Sequence, residues 1–235
     1  MDNIANQHLA ELVRQDYRRA RVFEKYRLDF CCGGNVPLAD ACDRKKVSLD
    51  LVVEDLGRVT ADPVHDPIEE MNATQLIRHI ENVHHRYVEE TAPLLLAQAK
   101  KVAAVHGQRC PEMVRVHELF SEAVGNLAQH MKKEELVLFP LIRRMEQGEL
   151  SKADDRRTLI TSAIGMMEME HDAEGARLNE IAELTNGYDP DCERCNTFEV
   201  LLKGLAEFEA DLHRHVHLEN NILFPMARRL MGQNN

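Results

Sequence analysis

The sequence predicts an all-α protein, an up-down four-helix bundle preceded by a small helical domain. Three observations carry this expectation. Apolar residues recur at helical spacing along most of the chain, with no stretch of sustained strand alternation. The 11 glycines and 8 prolines are few and gather at breaks between long periodic runs. Two of those runs also carry one motif, 85 residues apart: His130-Met-Lys-Lys-Glu134-Glu-Leu-Val-Leu-Phe139-Pro140 and His215-Val-His-Leu-Glu219-Asn-Asn-Ile-Leu-Phe224-Pro225.

Taken in order, a first helix is predicted from Asn6 to Tyr26, with Leu9, Leu12, Val13, Ala20 and Phe23 as its apolar stripe. It ends ahead of Cys31-Cys32-Gly33-Gly34-Asn35, where paired glycines permit a sharp turn. Short helices follow Pro37 and Ser48, the second through Leu49–Leu56. The segment Val59–Pro67, rich in proline and aspartate, reads as a linker. A boundary near residue 65 then divides a small helical domain (1–65) from the bundle (66–235). Four long helices are expected over about 72–106, 111–147, 152–186 and 194–231. Pro111 and Ser151 are start signals, and Gly148, Gly187 and Pro190 are stops. Short joins between long helices favour an up-down bundle. Pro93 falls inside the first of them and predicts a kink.

Composition narrows the functional classes. With 40 acidic and 29 basic residues, the net charge of −11 argues against nucleic acid or an anionic membrane as a partner. No apolar run approaches the roughly 18 residues of a membrane span. The start, MDNIANQHLAELVRQDYRRA, has charges where a signal peptide would carry its apolar core, so a cytoplasmic location is expected. The six cysteines (31, 32, 42, 110, 192 and 195) do not have the spacing of a disulfide framework, and reduced thiols are expected.

Helical phase sorts the 12 histidines. On the fourth bundle helix the stripe Leu201, Leu205, Phe208, Leu212 continues onto His215, Glu219, Ile222 and Met226. The second helix repeats it: Val116, Phe120, Ala123, Leu127, His130, Glu134, Val137, Leu141. On each stripe a histidine and a carboxylate stand where core residues belong. Glu135 turns about 100° away from Glu134 and is expected to be solvated. The third helix gives His171 on a stripe with Ile160, Ile164, Met167, Glu174 and Leu178. The first gives His85, preferred over its neighbour His84.

A lone inward histidine is ordinarily a core residue hydrogen-bonded to a neighbour. Four histidines and two glutamates at matching depth on four helices are harder to explain that way. Two buried carboxylates repel each other or take up protons unless positive charge lies between them. No lysine or arginine lies on these stripes. A metal pair supplies the charge. Histidine and carboxylate one helical turn apart reach a common site. Two bridging carboxylates leave two imidazoles per metal, and an oxo or hydroxo bridge adds a fifth ligand with a position left open for a small molecule. Nitrogen and carboxylate ligation suits iron or manganese more than structural zinc.

The paired H-x3-E-x3-L-F-P motifs in a helical bundle resemble the hemerythrin-like HHE domains. With the leading Leu28-Asp29-Phe30-Cys31-Cys32-Gly33-Gly34, the chain from about residue 8 to 228 resembles the iron–sulfur cluster repair di-iron proteins, the repair-of-iron-centres family. The resemblance implies two non-haem iron ions per chain, oxo- or hydroxo-bridged. It implies ligation at His85, His130, His171 and His215, with Glu134 and Glu219 bridging. It also implies a cytoplasmic role in restoring iron–sulfur clusters damaged by nitric oxide or peroxide, with the damaged proteins as clients. A homodimer stays open. Cys31 and Cys32 have two readings: a reactive thiol that takes nitric oxide, holds iron in transit or contacts a client cluster, or a buried turn cysteine.

His106 lies on the His85 stripe, and the family pattern also has a histidine here. Yet 21 residues of helix span about 31 Å. Unless the chain reverses after Pro93, His106 cannot share the site and is left out. Cys192 and Cys195 form a lone C-x-x-C and read as incidental thiols. The leading function is repair of damaged clusters, by supplying iron. The alternatives are a di-iron nitric oxide reductase, or a binding protein for dioxygen or nitric oxide, as carrier or sensor. A simple carrier needs only the bundle, so the Cys-Cys-Gly-Gly domain disfavours it.

Overall fold

The computed structural model describes residues 2–59, 67–150, 155–192 and 195–232. Among these residues the chain is helical, and the lone β-bridge pairs His8 with Pro37. The predicted linker falls largely on residues 60–66, outside the described residues, as does Ser151.

The single helix predicted over 6–26 is in fact two, α1 (Leu9–Gln15) and α2 (Ala20–Lys25), joined by a 3-10 turn over Tyr17–Arg19. Asp16 causes the break. It adopts an extended backbone (φ −158°, ψ 104°), and its carboxylate accepts a hydrogen bond from the Arg18 backbone N–H at 3.0 Å. An aspartate that can cap a new turn competes with continuing the old one. Helices α3 (Leu38–Lys45) and α4 (Leu49–Val59) follow as expected.

The bundle is built of four rods. The first joins α5 (Ala73–Ile80) to α6 (Arg86–His106) through a π-turn at Glu81–His85. Asn72 opens α5 with a capping box, its side chain accepting from the Gln75 N–H while Gln75 reaches back to the Asn72 N–H. The second rod joins α7 (Glu112–Lys133) to α8 (Phe139–Glu146) through a π-turn at Glu134–Leu138. The third is one continuous helix, α9 (Arg156–Leu184). The fourth joins α10 (Asn196–Leu218) to α11 (Phe224–Leu230) through a π-turn at Glu219–Leu223. Gly148 and Gly187 close their rods at φ +76° and +74°, a conformation that strains residues with a Cβ. Helix α6 runs through Pro93 without interruption, so the irregularity expected there lies instead at Glu81–His85.

The π-turns change which residues face inward. In the second and fourth rods the inserted residue makes the stripe beyond it slip by one position, whereas in the first rod Val88, Ala92 and Leu95 are buried as expected. Val137, expected inside, is 50% exposed, while Leu138 is 1% exposed and Phe139 and Ile142 are fully buried. The fourth rod slips identically: Leu223, Phe224 and Ala227 are buried in place of Ile222 and Met226. Phe-Pro follows the wide turn in both rods. A proline lacks the N–H and crowds the carbonyl four residues back, which a widened turn accommodates.

Two apolar clusters result. One takes Leu9, Phe23, Phe30, Leu38 and Leu56 of the N-terminal segment together with Val88, Phe120, Leu127, Leu178 and Phe208 of the bundle. The N-terminal helices thus share one continuous core with that half of the bundle. The other cluster takes Ile77, Ile80, Phe139, Ile160, Met167, Leu223 and Phe224. On every rod the layer between the two clusters is polar, and the candidate site occupies it.

Candidate metal centre

Each rod delivers its site residues from between the two clusters: His85 from the first, His130 and Glu134 from the second, His171 from the third, His215 and Glu219 from the fourth. All six are buried, with exposure no greater than 3%. They form two groups whose potential ligand atoms lie within 4.8 Å of one another: His85, Glu134, His215 and Glu219, and His130, Glu134, His171 and Glu219. Both carboxylates belong to both groups. His85 Nε2 lies 3.4 Å and His130 Nε2 3.3 Å from opposite oxygens of Glu134. His171 and His215 Nε2 each lie 3.1 Å from opposite oxygens of Glu219. The bundle's sequence repeat has become a two-fold arrangement in space.

The surrounding hydrogen bonds dictate where the lone pairs point. His85 Nδ1 lies 2.7 Å from Glu135, His130 Nδ1 2.9 Å from Glu170, and His171 Nδ1 2.9 Å from Asn220 Oδ1. All three partners accept, so each Nδ1 carries a proton, and in the neutral ring that a metal would bind each Nε2 turns a lone pair inward. Glu135 is thus only partly solvated, its side chain 35% exposed, and it also fixes His85, which the phase did not predict. The π-turn that begins at Glu134 brings it back toward the first rod, where it fixes His85. Lys133 pairs with Glu170 and holds the second of these carboxylates.

Inside, the chemistry is incomplete without a cation. His85 and His215 face each other Nε2 to Nε2 at 3.2 Å, and His130 and His171 at 3.0 Å. None of the four oxygens of Glu134 and Glu219 has a hydrogen-bond partner of good geometry. Buried carboxylate oxygens left this way are costly. Converging lone pairs and unsatisfied anionic oxygens fit divalent or trivalent cations, one in each group. The protonation pattern of the metal-free pocket agrees. Burial pushes His85 down, but the close approach and charge of Glu134, with further attraction to Glu219, raise it to about 9. Burial likewise opposes His130, and Glu134 outweighs it, again to about 9. Burial and mutual repulsion push Glu134 up, yet the imidazoles of His130 and His85 hold it below the usual carboxylate range. Without a metal, His85 and His130 hold positive charge as protons, while burial pushes His215 below its ordinary value.

His84 belongs to neither group: its Nδ1 lies 2.9 Å from Asp211, and its ring stacks on His215 with centroids 5.8 Å apart. His106 is also elsewhere, its Nε2 3.2 Å from the Cys195 sulfur. Cys31 and Cys32 lie on the other side of the fourth rod's π-turn. Asn220, which holds His171, is followed by Asn221, whose amide donates to the Cys31 carbonyl at 3.0 Å. Neighbouring residues of one turn thus touch the centre and the cysteine turn. Asp29 organises that turn by accepting from the N–H groups of Cys31, Cys32 and Gly33 at 3.1, 2.9 and 2.9 Å. The two sulfurs are 4.0 Å apart. The Cys32 sulfur and burial push the Cys31 thiol well above its ordinary value. Cys32 is half-buried, and both cysteines border a cavity of about 360 Å³ with Asp172, Asn220, Asn221 and Arg228.

The expectation of reduced thiols throughout is corrected in one place: Cys110 and Cys192 are joined by a disulfide. The fold brings the turn after α6 against the segment before α10, a proximity that an 82-residue separation hides. Cys31, Cys32, Cys42 and Cys195 are free.

A helical bundle with paired histidine–carboxylate groups defines a hemerythrin-like cation-binding domain, and residues 76–227 match the Hemerythrin HHE cation binding domain family. Residues 5–60 match a family described as a Domain of Unknown function (DUF542). The chain is 36% identical over 227 residues to the iron–sulfur cluster repair protein YtfE of Yersinia pestis (strain Pestoides F), an alignment covering 95% of this chain and 97% of the relative. The protein of the same name from Yersinia pseudotuberculosis serotype O:1b (strain IP 31758) matches with the same identity and coverage. The chain belongs to the YtfE family of iron–sulfur cluster repair proteins. Among the described residues, no helix is long and apolar enough to cross a membrane.

Proposed function

We propose that this protein binds two non-haem irons, one in each four-residue group, with Glu134 and Glu219 bridging them. In this reading it acts in the cytoplasm to repair iron–sulfur clusters damaged by nitrosative or oxidative stress, by supplying iron to the damaged proteins. The observation that carries the reading is the sharing of both carboxylates between the two histidine pairs, so that each iron would be held by two imidazoles and by Glu134 and Glu219. When bound, the iron pair supplies redox chemistry and open positions for nitric oxide or dioxygen.

The protein's own residues do the rest. Glu135, Glu170 and Asn220 orient the rings of His85, His130 and His171 so that Nε2 points inward. The apolar clusters on either side exclude water from the layer. Asp29, Cys31 and Cys32 offer ligand atoms within 4.8 Å of one another, which supports a place for iron in transit beside the cavity.

The test uses an enzyme whose iron–sulfur cluster has been damaged by nitric oxide. The iron-loaded protein is expected to restore its activity, and Cys31→Ser/Cys32→Ser protein to do so more slowly. No restoration by the loaded wild type, under conditions where free ferrous iron is chelated, contradicts the reading.

A further inference from the structure

At the far end of α6, about 31 Å of helix beyond His85, a second group of reactive side chains comes together. His106 ends α6, and its carbonyl accepts from the N–H groups of Arg109 and Cys110, so His106 and Cys110 share one turn. Cys110 is fully buried and bridged to Cys192, which is half-buried. Three residues further on, Cys195 is free and exposed, at the N-cap of the 23-residue α10. Its sulfur lies 3.2 Å from His106 Nε2, and the His106 ring packs against Phe198 with centroids 5.1 Å apart. A buried disulfide, an exposed third thiol in C-x-x-C spacing and a base on that thiol occupy one corner.

We propose that these residues form a thiol–disulfide exchange site, with Cys195 as the attacking thiol and His106 as the acceptor of its proton. The proton of Cys195 passes to His106 Nε2. The thiolate electron pair forms a Cys195–Cys192 bond, and the Cys110–Cys192 bond breaks. Its electron pair leaves on the Cys110 sulfur, which takes up a proton. One disulfide and one thiol stand on each side, so the step is redox-neutral.

The exchange solves a problem of access. The sulfur of Cys110 is closed to an external thiol and Cys192 is half-buried, whereas Cys195 is open to solvent and is the easier point of attack. Once the bond lies between Cys192 and Cys195, a low-molecular-weight thiolate attacks the Cys195 sulfur and forms a mixed disulfide, and Cys192 leaves as the thiolate. A second equivalent of the same thiol releases Cys195 and departs as the external disulfide. Two external thiols lose two electrons, and the protein disulfide gains them. The site makes this end of the bundle responsive to the thiol pool, apart from the metal centre, and it does not depend on what metal that centre holds.

The test incubates full-length, metal-loaded protein in glutathione redox buffers, blocks free thiols by alkylation and maps the disulfides by mass spectrometry. Both Cys110–Cys192 and Cys192–Cys195 linkages are expected in the wild type. Reduction of the Cys110–Cys192 bond is expected to slow by about tenfold or more in Cys195→Ser and in His106→Gln protein. Reduction of Cys195→Ser protein at the wild-type rate overturns the proposal. So does a wild type in which Cys192–Cys195 never forms, or one whose three thiols are free and hold one zinc per chain. Should Cys195→Ser fold poorly, Cys110→Ser carries the test. It must form the Cys192–Cys195 bond and yield a glutathione adduct at Cys195, and a Cys195 inert to glutathione overturns the proposal.

Discussion

Replacing Glu135 with alanine separates the two halves of the proposed centre without touching a ligand. Glu135 accepts from His85 Nδ1 at 2.7 Å and has no counterpart role at His130, which Glu170 serves. A hydrogen bond to a charged acceptor contributes about 1.5–3 kcal/mol, and outer-shell partners of metal-bound histidines affect metal affinity by about 10- to 100-fold. Glu135 has a side chain 35% exposed, so water competes for the bond and the smaller figure applies. We therefore expect about a tenfold loss of affinity at the His85–His215 position alone, with little change at the other. Stepwise iron removal by a chelator, followed by the visible spectrum, measures this as one iron leaving faster than in the wild type. The Glu170→Ala variant is expected to mirror it at the His130–His171 position. Equal lability of both irons in Glu135→Ala protein, or none beyond the wild type, refutes the assignment of Glu135 as the residue that orients His85.

Three further outcomes follow from the same geometry. Because Glu134 serves both groups, Glu134→Ala should lower iron content at both positions together, whereas His171→Ala should spare the other position, and metal analysis of the purified variants distinguishes the patterns. Metal-free His85 and His130 titrate at about 9, so both are protonated at pH 7 and must lose protons as metal enters. Affinity for the pair should then rise with pH toward 9 by up to about a hundredfold per unit and level off above it, and a flat profile from chelator competition contradicts the proton count. Finally, a Cβ on Gly34 would lie 2.3 Å from the Phe30 carbonyl oxygen and 2.7 Å from Ala10 Cβ, while one on Gly33 meets only the Asp29 side chain and carbonyl, at 3.1 Å or more. Gly34→Ala should destabilise the N-terminal segment by about 1–3 kcal/mol, visible in thermal unfolding, and Gly33→Ala by less.

The sequence made the bundle and its polar layer legible because both rest on periodicity. His130 and Glu134, or His215 and Glu219, stand four apart on apolar stripes, and no packing detail is needed to see that they face inward. What escaped the reading was local. The π-turns shift Val137 outward and Leu138 inward, and a uniform helical count carries straight past such an insertion. A signal was present in the second and fourth rods, where a proline follows each motif glutamate by six residues, too soon for an undisturbed α-helix. The turn at Glu81–His85 has no such proline. The place of Glu135 beside His85 has the same origin, an inserted residue that a regular helical phase does not contain. Asp16 broke a run whose apolar spacing stayed helical, because a cap is a choice between two hydrogen bonds rather than a change of pattern. The pairing of Cys110 with Cys192 depends on where two distant turns meet, and no local rule gives that.

The central claim is that Glu134 and Glu219 are shared between two irons. Metal analysis of the as-isolated protein combined with Mössbauer spectroscopy tests it most directly. Two irons per chain are expected, magnetically coupled through a common bridge and lost together when Glu134 is replaced. One iron, a single zinc, or two irons that behave as isolated ions would contradict it.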